Sequence, residues 1–203
     1  MVADVKPIKV DVWTDFVSPD CFLATFRLED LRKAHGLDVR WHAYMLRPPG
    51  APEPPDSARR LLAAERKHVA EVVKLELDMD LDPGPIGIRT RDAHIAMAYA
   101  NRNGAADNLQ LALMRAYWLE AQPINERAII SRIAASVGLS PNGLAAAWDS
   151  TEYVKAVNDD MSMAVGYGIR SVPAQMFGDI YKVSGAQPYE LLEEVIKKLS
   201  PQA

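Results

Sequence analysis

The chain has 203 residues, 49% hydrophobic and 25% charged, enough for an ordinary packed core in one large domain or two small ones. A net charge of -4 with no basic run excludes a nucleic-acid footprint. One cysteine excludes an internal disulfide framework.

The N-terminus, MVADVKPIKV, has no basic stretch leading into an apolar one, and no window approaches the ~20 apolar residues of a membrane span. A cytoplasmic protein without membrane contact is the expectation. Val10, Val12 and Phe16 against Asp11, Thr14 and Asp15 predict a part-buried strand, after which the apolar spacing changes from two to three and four. Ser18 is placed to cap the helix that follows, Pro19 has the backbone angle wanted at its first position, and Asp20 complements its dipole. Cys21 falls in the first turn. The helix runs to about His35, with Phe22, Leu23, Phe26, Leu28 and Leu31 inside and Arg27, Glu29, Arg32 and Lys33 outside, and Gly36 ends it.

Alternation over Leu37 to Leu46 predicts the second strand, so the first fifty residues read as a βαβ unit with parallel strands. Arg47 to Pro55 holds five prolines in nine residues and marks a boundary. A long helix is expected from Asp56 to about Asp80, then helices near Thr90 to Asn103, Ala106 to Ala121, Asn125 to Val137, Pro141 to Asp149 and Glu152 to Gly166. Val172 to Phe177 and Ile180 to Ser184, joined at Gly178-Asp179, predict a β-hairpin, and Pro188 to Leu199 a closing helix. The division is residues 1–50, an inserted helical unit over 51–150, and a second part over 151–203.

A strand leading into Ser18-Pro19-Asp20-Cys21 at a helix start resembles the beginning of a thioredoxin fold of the DsbA family. Gly168-Ile169-Arg170-Ser171-Val172-Pro173-Ala174, followed by the hairpin and Ser184-Gly185-Ala186-Gln187-Pro188, resembles the FrnE-like branch of that family. Phe16-Val17-Ser18-Pro19 is also similar, more distantly, to the 2-hydroxychromene-2-carboxylate isomerases and kappa-class glutathione transferases. The resemblance implies an α/β thioredoxin fold interrupted by an all-α insertion, and thiol-disulfide oxidoreductase chemistry. The family carries Cys-x-x-Cys where this chain has Ser-Pro-Asp-Cys. The residue corresponding to the family's attacking cysteine is therefore Ser18, and no dithiol cycle can run within the monomer.

The candidate catalytic residues are Ser18 and Cys21. Ser18 is either a plain cap or a hydroxyl that stabilises an incoming thiolate. Cys21 is either a nucleophile activated by the helix N-terminus or a buried, inert thiol, with Asp20 opposing its ionisation. For substrate binding the resemblance implies Pro19, Asp20 and a cis Val172-Pro173 bond whose backbone can pair with an extended thiol peptide, and His94, at the start of an insertion helix where the family's lid overhangs the site, is either a binding residue or a surface or packed histidine; Ser184 and Gln187, at the start of the last helix, either bind a carboxylate or only cap that helix. A small thiol or thiol peptide is the expected partner, with glutathione as a co-substrate, no bound cofactor, and room for a homodimer. His35, His42 and His68 lack metal-ligand spacing, so no metal site is expected. The competing readings are a glutathione-dependent isomerase or transferase using Ser18, and a non-catalytic peptide-binding protein.

Overall fold

The computed structural model describes residues 7–200. Its elements, in chain order, are β1 (Lys9–Thr14), α1 (Pro19–His35), β2 (Asp38–Ala43), α2 (Asp56–Leu77), α3 (Arg91–Arg102), α4 (Ala106–Leu119), α5 (Arg127–Ser136), α6 (Pro141–Trp148), α7 (Thr151–Gly166), β3 (Ala174–Phe177), β4 (Tyr181–Ser184) and α8 (Tyr189–Leu199). The four strands form one mixed sheet in the order β2-β1-β3-β4, with β1 and β2 parallel and the other neighbours antiparallel. This is the interrupted α/β scaffold expected, with α2 to α6 between β2 and α7.

β1 lies between β2 and β3, and its burial is more complete than the part-buried strand expected. Asp11 is 6% exposed, Thr14 2% and Asp15, just beyond its end, 0%. Helices cover both faces of the sheet here, so alternation does not mark a solvent side. Each buried polar group must then be answered. His42 Nε2 meets an Asp11 carboxylate oxygen at 2.7 Å, its Nδ1 meets Asp160 of α7 at 2.7 Å, and the imidazole stacks on Trp13 with centroids 4.8 Å apart. The second Asp160 oxygen accepts the Ala43 N–H at 2.9 Å, and the Trp13 indole N–H donates to the Asp160 carbonyl at 3.2 Å. The end of β2 is thereby clamped to α7.

Arg27, expected outside, is also buried. Its guanidinium holds the Glu76 carboxylate of α2 at 2.7 Å and donates to the carbonyls of Ala186 at 2.8 Å and Gln187 at 2.9 Å. One side chain on α1 thus ties the insertion to the loop entering α8. α2 stops at Leu77, where Asp78 takes a left-handed conformation with φ 51°, short of the expected Asp80. Only Val69 and Val73 of this helix are buried. Gly178 and Asp179 both have positive φ, 60° and 59°, the pair a tight hairpin turn needs.

The buried apolar residues form one continuous cluster, from Val10, Phe22 and Leu31 through Ile95, Leu113 and Trp118 of the insertion to Phe177 and Ile196. The inserted helices therefore share the core of the sheet.

Candidate active site at the α1 N-terminus

The chain turns from β1 into α1 through Asp15-Phe16-Val17-Ser18. Ser18 has extended backbone angles, φ -88° and ψ 122°, and its Oγ accepts the Cys21 N–H at 3.3 Å. The Ser18 N–H donates to the Asp15 carbonyl at 3.2 Å and its own carbonyl accepts the Phe22 N–H at 3.2 Å. The cap, Pro19 at the first position and acidic Asp20 in the first turn are all in place. Below them the floor is rigid. The Asp15 carboxylate is fully buried and accepts the Leu46 N–H at 2.7 Å, while the Trp118 indole N–H donates to the Phe16 carbonyl at 2.8 Å.

Cys21 faces inward and is 1% exposed. Burial is the main reason its thiol is pushed up, from an ordinary 9.0 to about 12, against the smaller opposing effect of hydrogen bonding by Ser18. A reacting group outside the protein cannot reach this sulfur without local opening. Ser18 instead borders a cleft of about 650 Å³ between the α1 N-terminus, α2 and the loop before β3, with Glu65, His68, Arg170, Ser171 and Val172 around it.

The structure brings together Ser18, Pro19, Asp20 and Val172, and the Val172-Pro173 peptide bond is cis. The Pro173 carbonyl accepts the Gly185 N–H at 2.8 Å, which fixes the loop to the hairpin. Three expected binding residues stand elsewhere. His94 is 2% exposed, its Nε2 3.4 Å from the buried Asp15 Oδ1 and its ring 4.9 Å from that of Phe16, so it lies under the site, outside the cleft. Ser184 and Gln187 do not border the cleft, and they do not cap α8, whose N-cap is Pro188 with no side-chain bond. The Gln187 amide donates to the Ser184 carbonyl at 2.8 Å, closing a local turn held down by Arg27.

The contributions of α2 and of the 170–171 loop escaped the sequence reading. Glu65 and His68 lie one turn apart on an exposed stretch of α2, indistinguishable by pattern from a solvated face. Among the described residues, no group of His, Cys, Asp and Glu side chains is placed to hold a metal ion, and no helix is long and apolar enough to cross a membrane.

With this geometry in view, the comparisons with known proteins are decisive for family. The sequence profile of the DSBA-like thioredoxin domain matches residues 9–197. The chain belongs to the DSBA-like thioredoxin domain family. Its fold is similar to that of a probable DsbA oxidoreductase from Streptomyces coelicolor, with TM-score 0.81 and 21% identity over 94% of this chain and 89% of the other. It is equally similar to a 2-hydroxychromene-2-carboxylate isomerase, with TM-score 0.79 and 20% identity over 94% and 95%. The cytosolic disulfide reductase DsbM from Pseudomonas aeruginosa in complex with GSH gives a TM-score of 0.70 and 18% identity over 94% and 100%. At these identities the likeness is one of fold.

Proposed function

We infer that this DsbA-family protein binds a small thiol or thiol peptide in the Ser18 cleft and works through the sulfur of that bound thiol, not through its own cysteine. The carrying observation is the division of labour at the α1 N-terminus. The one sulfur, on Cys21, is 1% exposed and does not border the cleft, while Ser18, 6% exposed, does. The Ser18 Oγ accepts from the Cys21 N–H, and in this reading its own hydrogen turns from the buried Cys21 sulfur to the bound thiol. A thiolate seated there gains that hydrogen bond and the partial positive charge of the helix end. Arg170 and His68 offer charge and hydrogen bonds to carboxylates of a peptidic thiol such as glutathione, and the Val172 backbone offers an edge for an extended chain.

In the redox form of this reading, the bound thiolate attacks one sulfur of a disulfide, a mixed disulfide forms, and the other sulfur leaves as thiolate. A specific observation favours a second form, addition of the same thiolate to an electrophilic carbon as in an isomerase or transferase. Val17, Pro19, Leu46 and Leu62 line both the cleft and an adjoining apolar cavity, and such a wall suits an apolar substrate beside a thiol. Both forms share Ser18 as the catalytic hydroxyl. The FrnE-like resemblance at Ser184-Gly185-Ala186-Gln187 adds no binding group in either, since those residues lie off the cleft.

Calorimetric titration with reduced glutathione tests the reading on the natural protein, Ser18→Ala and Cys21→Ser. Binding weakened about ten-fold or more by Ser18→Ala, the loss of one charge-assisted hydrogen bond, and retained in Cys21→Ser is the expected result. Equal binding by all three removes Ser18 from the chemistry, and absence of binding removes glutathione.

A further inference from the structure

Four charged or titratable side chains border the Ser18 cleft: Asp20 of α1, Glu65 and His68 of α2, and Arg170 of the loop before β3. All four residues are exposed, and none of these side chains makes an ion pair or a hydrogen bond with another group among the described residues. Water satisfies such groups one at a time, but here three separate elements bring them to one cleft beside the Ser18 cap. His68 is held in place by its neighbours. Val69, the next residue, is 6% exposed, lines the same cleft and is one of the two buried anchors of α2, while Glu76, further along the helix, is pinned to Arg27 of α1 at 2.7 Å. The imidazole therefore stands on a helix whose placement against α1 is fixed.

A free thiol enters such a cleft mostly as S–H at neutral pH, since its ordinary pKa is near ~8.5, and only the thiolate reacts. An acceptor beside the sulfur keeps that proton at hand for the group that leaves. Ser18 is no such acceptor, because its Oγ already accepts the Cys21 N–H and its hydrogen is the one that meets the sulfur. Arg170 has no lone pair to offer. The carboxylates and the imidazole are left. A carboxylate is a weaker base than a thiolate by about 4 pH units and an imidazole by about 2. A hydroxyl hydrogen bond and a helix end together stabilise a thiolate by about 1.3–2.9 units, which closes most or all of the second gap and leaves a large part of the first. We propose that His68 is a catalytic residue of the thiol reaction, taking the proton of the bound thiol as the thiolate forms at Ser18. This assignment rests on the thiol reading. The S–H bond breaks, its electron pair stays on sulfur, and the proton makes the second N–H of an imidazolium. In the redox form the same proton passes to the sulfur that leaves the attacked disulfide, which returns His68 to its neutral state. The charge that His68 presents to the ligand is thus the ligand's own proton, and Arg170 remains for a carboxylate.

The test is a pH titration of bound reduced glutathione, read by the ultraviolet absorbance of the thiolate with S-methylglutathione as the blank, on the natural protein and on His68→Gln. The substitution should raise the midpoint of thiolate formation by about one pH unit or more, a ten-fold change, and in calorimetry should weaken reduced glutathione more than S-methylglutathione. An unchanged midpoint, or equal weakening of the two ligands, overturns the assignment; equal weakening would make His68 a partner of the ligand's carboxylates alone. Glu65→Gln removes a negative charge from the same cleft and should leave the midpoint in place or lower it, and a rise there in place of one in His68→Gln gives the role to the carboxylate and overturns the proposal. Glutathione bound with the same midpoint in both proteins leaves the thiol reading standing, whereas no binding of glutathione by the natural protein overturns both.

Discussion

The clamp between β2 and α7 makes a pH prediction that follows from three side chains. His42 is buried, which by itself would lower its pKa, but the hydrogen bonds and charges of Asp11 and Asp160 outweigh burial and hold it at about 9, above the ordinary 6.5. Between those values the folded protein keeps a proton that the unfolded chain has lost. Stability therefore falls as pH rises, by about 1.4 kcal/mol per pH unit at the steepest, and the contribution is full below about 6.5 and gone above about 9. The total is about 3 kcal/mol. Neutral His42 keeps one ring hydrogen, so one of its two 2.7 Å contacts becomes a lone pair facing a carboxylate. Urea unfolding at closely spaced pH from 6 to 10 measures the slope, and His42→Gln should flatten it between 6.5 and 9. The decline in the natural protein should continue above 9, where unfolding releases the Cys21 proton that the folded state holds to about 12. A flat profile from 6.5 to 9, or the same slope in His42→Gln, would refute the assignment.

Two further outcomes can be checked directly. At pH 8 the Cys21 thiol, held at about 12, should react with an aromatic disulfide reagent about a thousand times more slowly than the same thiol in denaturant at its ordinary 9.0, before any effect of access; a fast reaction in the folded protein would contradict its burial. Arg27→Met should destabilise the fold by about 2–3 kcal/mol in urea unfolding, because it strips charged hydrogen bonds from Glu76, Ala186 and Gln187 at once, and a loss within about 0.5 kcal/mol would show that solvent replaces them.

What could be read from the sequence was local. The cap at Ser18, Pro19 at the helix start, the Gly36 stop and the Gly178-Asp179 turn each depend on residues within a few positions of one another, and each stands in the structure as the pattern implies. Arg27 departs from its expected exposed position, and the roles of Arg27 and His42 could not be read from the sequence, for the complementary reason. The partners of Arg27 lie 49, 159 and 160 residues away, and those of His42 31 and 118. An arginine beside a glutamate on a helix reads as surface unless the other elements are already in place. His94 shows the same limit in reverse: its position at a helix start near the junction was right, but whether it faced the cleft or the floor depended on how α3 packs against Phe16. The α2 side of the cleft was invisible because a helix bordering a polar cleft carries the same residues as one bordering water.

Under the proposed function, the arrangement at α1 makes a serine compatible with chemistry on a bound thiol. A thiol at about 12 leaves roughly one molecule in 10⁵ ionised at pH 7, so Cys21 is no useful nucleophile at rest. A small free thiol has an ordinary pKa near ~8.5, and half-ionisation at pH 7 requires lowering it by ~1.5 units, about 2 kcal/mol. A hydroxyl donating to the thiolate is worth about 1.5–3 kcal/mol and a helix N-terminus about 0.3–1 kcal/mol. Ser18 at the head of α1 supplies both together, and the exposed Asp20 carboxylate subtracts only a screened fraction. Under the proposed function, burying the protein's sulfur and placing a serine at the cleft keeps the electrostatics of a thiolate site while transferring the sulfur to the ligand. The consequence is selectivity. An internal thiol reacts with whatever enters the cleft, whereas the borrowed thiol proposed here would react only when the remainder of its molecule is held by α2 and the 170–172 loop.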